Sequence, residues 1–316
     1  APGVNGQVLR SNGYPENFIV ANPQFLSASM ITNISSNNYH SLQAQATMRP
    51  THGLSGQLTY TWAKNLGFVG YATGPGFTDP VNRRGDYTLV TGDRTHDLRA
   101  NGSFALPIGP GKLLFGKSSG VFARAIEGWQ VGWVADVSSG TPLSIAAQSM
   151  LYANGVPDIV GPFDLKSAGV RWGTVTTSTG QTNGSYFDLT KYKIVRDPQC
   201  SALPSTLAPL CTLQAVADAN TGQILLQNPL PGKRGTLGQF VMHGPILPRI
   251  DGNLSKSFHV TESKIVQLRI DTFNVMNHPL PATPNVNING TGNTAFGQIV
   301  NKTGSRRFQG SLRLSF

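Results

Sequence analysis

The sequence predicts an all-β fold, a partial transmembrane antiparallel β-barrel of about seven or eight strands with long extracellular loops. Three observations predict it. Apolar residues alternate with polar ones through segments of about ten residues, the period of a strand whose two faces meet different surroundings. Charged residues make up 13 % of the chain, against about 25 % in soluble domains, while Gly reaches 36 and Pro 21. The spacers between alternating segments are by turns long and short, as connections at the two ends of a membrane barrel are.

The elements follow in order. Residues 1–37 carry Gly, Pro, Asn and Ser and predict loop, with a short hairpin at Phe25–Ile34. Residues 38–146 hold barrel strands. From Tyr39 to Arg49, His40, Leu42, Ala44, Ala46 and Met48 share one face, and Ser41, Gln43, Gln45 and Thr47 share the other. Pro50 to Gly53 reads as a turn. From Leu54 to Lys64, Leu54, Leu58, Tyr60 and Trp62 oppose Ser55, Gln57, Thr59 and Thr61. A Gly-rich loop over 65–95 precedes a strand at Leu98–Leu106. A connection over 107–127 precedes one at Trp129–Ser138, where Trp129, Val131 and Trp133 oppose Gln130, Gly132 and Asp136.

Residues 147–247 show almost no pattern and predict one long extracellular loop. Closing strands occupy 248–316. In Arg249–Val260, Ile250, Leu254 and Phe258 oppose Asp251, Asn253 and Ser255; Lys256 interrupts the apolar face, which places it near an edge of the membrane band. The tight turn Thr261–Glu262–Ser263 leads into Ile265–Met276, and a loop over 277–304 precedes the last strand, Ser305–Phe316. There Phe308, Leu312, Leu314 and Phe316 lie on one parity, the pattern of a C-terminal assembly signal ending on an interfacial aromatic.

Two cysteines, Cys200 and Cys211, are a candidate disulfide, which suits an oxidising compartment and is too few for a structural zinc site. No run of about 18 apolar residues predicts a membrane helix. The net charge of +10 is scattered, with only Arg83–Arg84, Lys233–Arg234 and Arg306–Arg307 adjacent, which speaks against nucleic acid. Arg99, Asp136, Arg249, Asp251, Arg269, Asp271, Arg307 and Arg313 fall on the polar parity and are candidate lumen-facing charges, whose mixed signs predict pairing across strands. The six histidines (40, 52, 96, 243, 259, 278) lack metal-ligand spacing and suit rim or loop positions.

Two motifs compete with this reading. Gly111 to Ser118 (GKLLFGKS) fits the P-loop pattern, with Lys117 for phosphate and Ser118 for Mg²⁺, but no βαβ context surrounds it. Gly116 to Gly120 imitates a hydrolase elbow around Ser118 and lacks the strand-to-helix setting. No catalytic residue, cofactor or metal is expected.

Several segments resemble the C-terminal barrel of TonB-dependent receptors, specifically the Oar-like group common in Acidobacteria. They are Asn38–Gln43, Tyr60–Lys64, Gly92–His96, Gly128–Gln130, Ser139–Pro142, Phe273–Pro279 and Leu312–Phe316, in order from about residue 38 onward. The resemblance implies a Gram-negative outer-membrane location and a barrel of about 22 strands with a plug, of which this chain would be the last third, without plug or TonB box. It implies uptake of a large or scarce solute, a glycan or metal chelate, with outer-membrane lipid, the barrel-assembly machinery and the TonB complex as partners. The alternatives are a structural or adhesive barrel that transports nothing and, remotely, a nucleotide-binding protein.

Overall fold

The computed structural model describes residues 10–15, 35–68, 82–148, 155–176, 182–259, 261, 264–292 and 295–316. The chain divides into two units, Ala1–Ser35 and Ser36–Phe316. In the first, Gly13 N–H closes a turn on the Arg10 carbonyl; the hairpin expected at Phe25–Ile34 lies outside the described residues.

The second unit begins with β1 (Asn37–Thr51), β2 (Leu54–Phe68), β3 (Tyr87–Leu89), β4 (His96–Ala105), helix α1 (Gly120–Ile126) and β5 (Trp129–Ser138). Short strands follow: β6 (Pro142–Leu143), β7 (Asp158–Ile159), β8 (Arg171–Thr176), β9 (Thr182–Ser185), β10 (Tyr192–Arg196), β11 (Gln214–Asp218), β12 (Ile224–Gln227) and β13 (Met242–His243), with helical turn α2 (Pro198–Ser201) after β10. Then come β14 (Leu247–His259), β15 (Ile265–Phe273), β16 (Leu280–Pro281), β17 (Gln298–Ile299), β18 (Lys302–Thr303) and β19 (Arg307–Ser315).

The long strands form one antiparallel sheet in the order β1-β2-β4-β5-β14-β15-β19, with β3 added on β2. Its register carries the alternation of each strand coherently across the sheet. One row runs Leu54, Phe104, Val131, Leu254, Ile270, Gly310; a row on the opposite face runs Gln45, Thr59, Arg99, Asp136, Arg249. Neither face of the outer strands has a protein cover: β1 and β19 are exposed throughout, and Leu42 (61 %) and Leu312 (73 %) are mostly bare. Among the described residues, the hydrophobic core contains no side chain from any long strand. An apolar sheet face left uncovered by protein needs a non-aqueous cover, since exposed apolar area costs about 25 cal/mol per Å² in water.

Trp133 shows how closely that face is fitted. Its indole lies over Gly102, where an added Cβ would stand 2.3 Å from Trp133 Cζ2 and 2.6 Å from the Ser55 carbonyl oxygen. Gly102→Val is therefore expected to displace the ring and cost about 1–3 kcal/mol, read as a lowered urea midpoint of the folded full-length protein in micelles. Gly310→Val, with no atom within 4 Å of the added Cβ, is the control. Equal midpoints for the two variants would show that the indole does not occupy this aisle.

The register also sorts the connections. By the strand register, the ends of β1 and β2 joined by the turn at 52–53, those of β4 and β5 joined by 106–128, those of β14 and β15, and the end of β19 before Phe316 all lie on one side of the sheet; the strand ends that lead into the three long connections lie on the other. The first turn is shorter than expected from Pro50–Gly53. His52 (φ 49) and Gly53 (φ 81) make a two-residue turn with both φ positive, and Pro50 stays within β1, beside a register shift between Met48 and Thr51. A residue without N–H is tolerated there because the β1–β2 ladder is interrupted at that register shift, next to the turn. At the other end β15 stops at Phe273 rather than Met276, because Asn274 (φ 52) turns left-handed. The Asn274 side chain accepts from His278 N–H at 3.1 Å and donates to the carbonyls of His278 and Gly304, closing the neck of the last loop.

The largest departure concerns 147–247, expected as one patternless loop. It folds. Strands β10-β11-β12-β7 and β17-β9-β8 form two small sheets, and Ile145, Val156, Phe187, Val216, Leu226, Ile288 and Phe296 are buried in a common core. The last long connection contributes Ile288, Phe296 and Ile299, and β17 pairs with β9, so two loops make one loop domain. Phe187 and Phe296 stack at 4.8 Å, with Phe163 set against Phe187 at 5.4 Å. Alternation is missing because these strands are two to six residues long and partly buried on both faces: Ala215, Val216 and Ala217 are all fully buried in succession.

Candidate functional site

The polar sheet face and the loop domain above it are the candidate site. Arg99, Asp136 and Arg249 stand side by side in register. The ion pairs, however, run along the strands rather than across them: Arg99–Asp97 at 2.8 Å, Arg249–Asp251 at 3.1 Å and Arg269–Asp271 at 2.7 Å. Residues two apart share a face about 7 Å apart along a strand, within reach of an arginine stem, whereas Asp136 is flanked by arginine on both sides. Arg307 faces Phe273, its guanidinium 5.9 Å from the ring, and Arg313 faces Gln267. The arginine side chains of these pairs are about half or more exposed, so the pairs add little stability; their physical effect is a field of both signs on the polar face. A cleft of about 340 Å³ opens on this face between Gln43, Thr61, Asp93, Arg94 and Arg99.

Buried carboxylates tie the sheet end to the loop domain. Asp86 accepts from Arg234 Nη2 at 3.1 Å and Gln239 Nε2 at 3.2 Å. Asp93 accepts from Asn65 N–H at 2.7 Å and from the Thr95 hydroxyl at 3.0 Å, with His243 Nε2 3.7 Å away. Inside the loop domain, buried Asp197 accepts from the N–H groups of Gln199 and Asn228 and from Asn228 Nδ2, each at 2.9 Å. Asn228 Oδ1 accepts in turn from Gln148 N–H at 2.9 Å and Asn289 Nδ2 at 2.7 Å, so this hub joins both long connections. Cys200 and Cys211 are joined as a disulfide beside it, with Cα atoms 5.5 Å apart.

Sequence reasoning did not single out Asp86, Asp197 or Asn228. Asp93 sat within the quoted Gly92–His96 segment, but nothing local distinguishes a buried aspartate from a loop one. The Thr221 N–H lowers the Asp218 pKa, and the Thr190 hydroxyl lowers that of Asp188. Burial raises the Tyr186 phenol, which donates to the His243 carbonyl at 2.5 Å.

At the seam of the two loops, Trp172, Tyr186, Pro245, Pro248, His278 and Pro281 line a cleft of about 430 Å³, with Lys302 Nζ 5.4 Å from the Trp172 ring. Such an aromatic and proline-lined surface suits flat apolar faces, including those of sugars, carrying polar groups at their edges.

The P-loop-like segment adopts a different form. The N–H groups of Gly111, Lys112 and Ser118 donate to the carbonyls of Gly116, Gly109 and Phe115, so they are turned inward instead of cradling an anion. Ile108 makes an isolated bridge to Leu114 in place of a buried strand. Ser118 lies in this turn, not on a strand-to-helix elbow. Among the described residues no three His, Cys, Asp or Glu side chains gather as a metal-ligand set. Phe308, Leu312 and Leu314 lie on the apolar face opposite Thr272, Leu268 and Val266, followed by Phe316, which is 94 % exposed.

No curated protein and no solved structure matches the chain. A sheet with one uncovered apolar face, one charged face and unequal connections is what a bilayer-spanning barrel wall requires. The family model described as "Outer membrane beta barrel domain" matches residues 2–309, and the chain belongs to that outer-membrane family.

Proposed function

We propose that this chain is barrel wall and loop domain of a TonB-dependent receptor that takes up a large or scarce solute, a glycan or a metal chelate. The observation that carries the reading is the stacking of three surfaces in one unit: a folded loop domain with an open aromatic cleft, a charged inner face beneath it, and a lipid-facing outer face. Loops on a rigid scaffold are where recognition is placed, and a mixed-sign inner face offers exchanging partners to a polar solute without holding it. The segments resembling TonB-dependent receptors add the energy source.

The test is accumulation of labelled glycans and iron chelates by cells carrying the full-length protein, with and without an uncoupler of the inner-membrane proton gradient. Accumulation that needs both the protein and the gradient is the expected result. Accumulation that persists in the uncoupler would replace energised transport with a passive pore. Surface-exposed protein with no accumulation of any probe would favour the structural or adhesive barrel.

A further inference from the structure

The 106–128 connection carries an apolar surface that the barrel architecture leaves unexplained. Leu113 is 85 % exposed and Val121 87 %, and Leu114, Phe115 and Phe122 are each more than half exposed. Phe115 holds a left-handed backbone (φ 58) and meets Phe122 edge-to-face at 6.0 Å. Of the seven residues of α1 only Ala123 is buried. A seven-residue helix is marginal by itself, and here its large side chains point away from the protein.

Its position is set by Lys256. This residue sits in register between Trp129 and Leu268 on the apolar sheet face, yet it is buried, and its amine donates at 2.6 Å to the carbonyls of both Arg124 and Ala125. The ammonium thus satisfies orphan carbonyls at the helix C-terminus and lies 5.4 Å from the Trp129 ring and 4.6 Å from the Phe258 ring. Trp129 Nε1 also donates to the Ala125 carbonyl at 3.2 Å. The interruption of the apolar stripe is therefore the anchor that fastens α1 to the lipid-facing side, at the short-turn end.

We infer that the 108–126 segment is an interfacial lipid anchor, with Leu113, Phe115, Val121 and Phe122 entering the acyl boundary of the adjacent leaflet and Lys112 and Lys117 meeting anionic headgroups. Two observations choose lipid as the occupant: the patch is continuous with the lipid-facing sheet face through Lys256, and exposed cations rim it. Basic groups bordering exposed aromatics are the pattern of an interfacial element, whose apolar face sinks roughly 5–10 Å into the headgroup boundary.

The test uses the full-length protein in nanodiscs. Cys200 and Cys211 are bonded to each other, so Val121→Cys, in a background with any other free cysteine replaced, provides one thiol for an environment-sensitive fluorophore, and Phe122→Cys provides a second, independent position. The expected result is blue-shifted emission, quenched more by a nitroxide near the top of the lipid chain than by one at its end. Quenching should be stronger in phosphatidylglycerol than in phosphatidylcholine, with Lys117→Gln lowering the apparent anionic-lipid affinity by about 5-fold. Emission unquenched by either nitroxide, whether water-like or blue-shifted by a protein partner, overturns the proposal. So does deeper quenching at the chain end, and equal quenching in both lipids overturns the headgroup assignment.

Discussion

Replacing Asp197 by alanine is expected to unfold the loop domain while leaving the long-strand sheet intact. The side chain is fully buried and accepts three hydrogen bonds at 2.9 Å. Its removal strands the Gln199 and Asn228 N–H groups, each costing about 1–3 kcal/mol when buried without a partner, for roughly 4 kcal/mol in total. Asn228 would also lose the contact that orients it between Gln148 and Asn289, so the junction of the two long connections loosens together. Limited proteolysis is the measurement, with new cleavage expected within 155–246 and heat-modifiable mobility of the barrel retained. Asp197→Asn should fall between the two, since its oxygen can still serve one donor while its NH₂ opposes another. Protease resistance equal to wild type in Asp197→Ala would show that the hub does not hold the domain.

Replacing Phe316 by aspartate is expected to empty the outer membrane of the folded protein. A charge at the interface costs a barrel only about 0–1 kcal/mol, too little to unfold it. Yet Phe316 continues the run of Phe308, Leu312 and Leu314 one residue beyond β19. The loss is therefore expected at the assembly step in the cell, the step a C-terminal signal would serve. Two assays separate the causes. The full-length variant should refold into lipid vesicles like wild type while its cellular level falls. Leu312→Arg, in the middle of the apolar face, should cost about 2–4 kcal/mol in vesicles as well. Normal cellular levels of Phe316→Asp would remove the terminal-signal reading.

These expectations rest on different kinds of information, and the long strands and the loop domain separate them. Alternation along Leu54–Lys64 or Trp129–Ser138 is local: each residue's face follows from its parity, so the apolar stripe and the polar face were legible residue by residue. The order of the long strands followed too, because each pairs with its neighbour along the chain among those strands. The exact ends did not, since Pro50 and Asn274 act through backbone geometry that parity does not record.

The loop domain was opaque for a physical reason. Its strands are too short to display a period, and its core joins residues as distant as Ile145 and Ile299. Charge pairing was opaque too: composition announced mixed signs, but whether Arg99 takes Asp97 or Asp136 depends on side-chain reach over a twisted surface. Lys256 is the clearest case. Its sequence position shows a cation on an apolar stripe, and only the fold supplies the carbonyls of Arg124 and Ala125 that receive its protons. Facing is local and can be read from a strand alone, whereas satisfaction of a buried polar group depends on partners that the chain brings from far away.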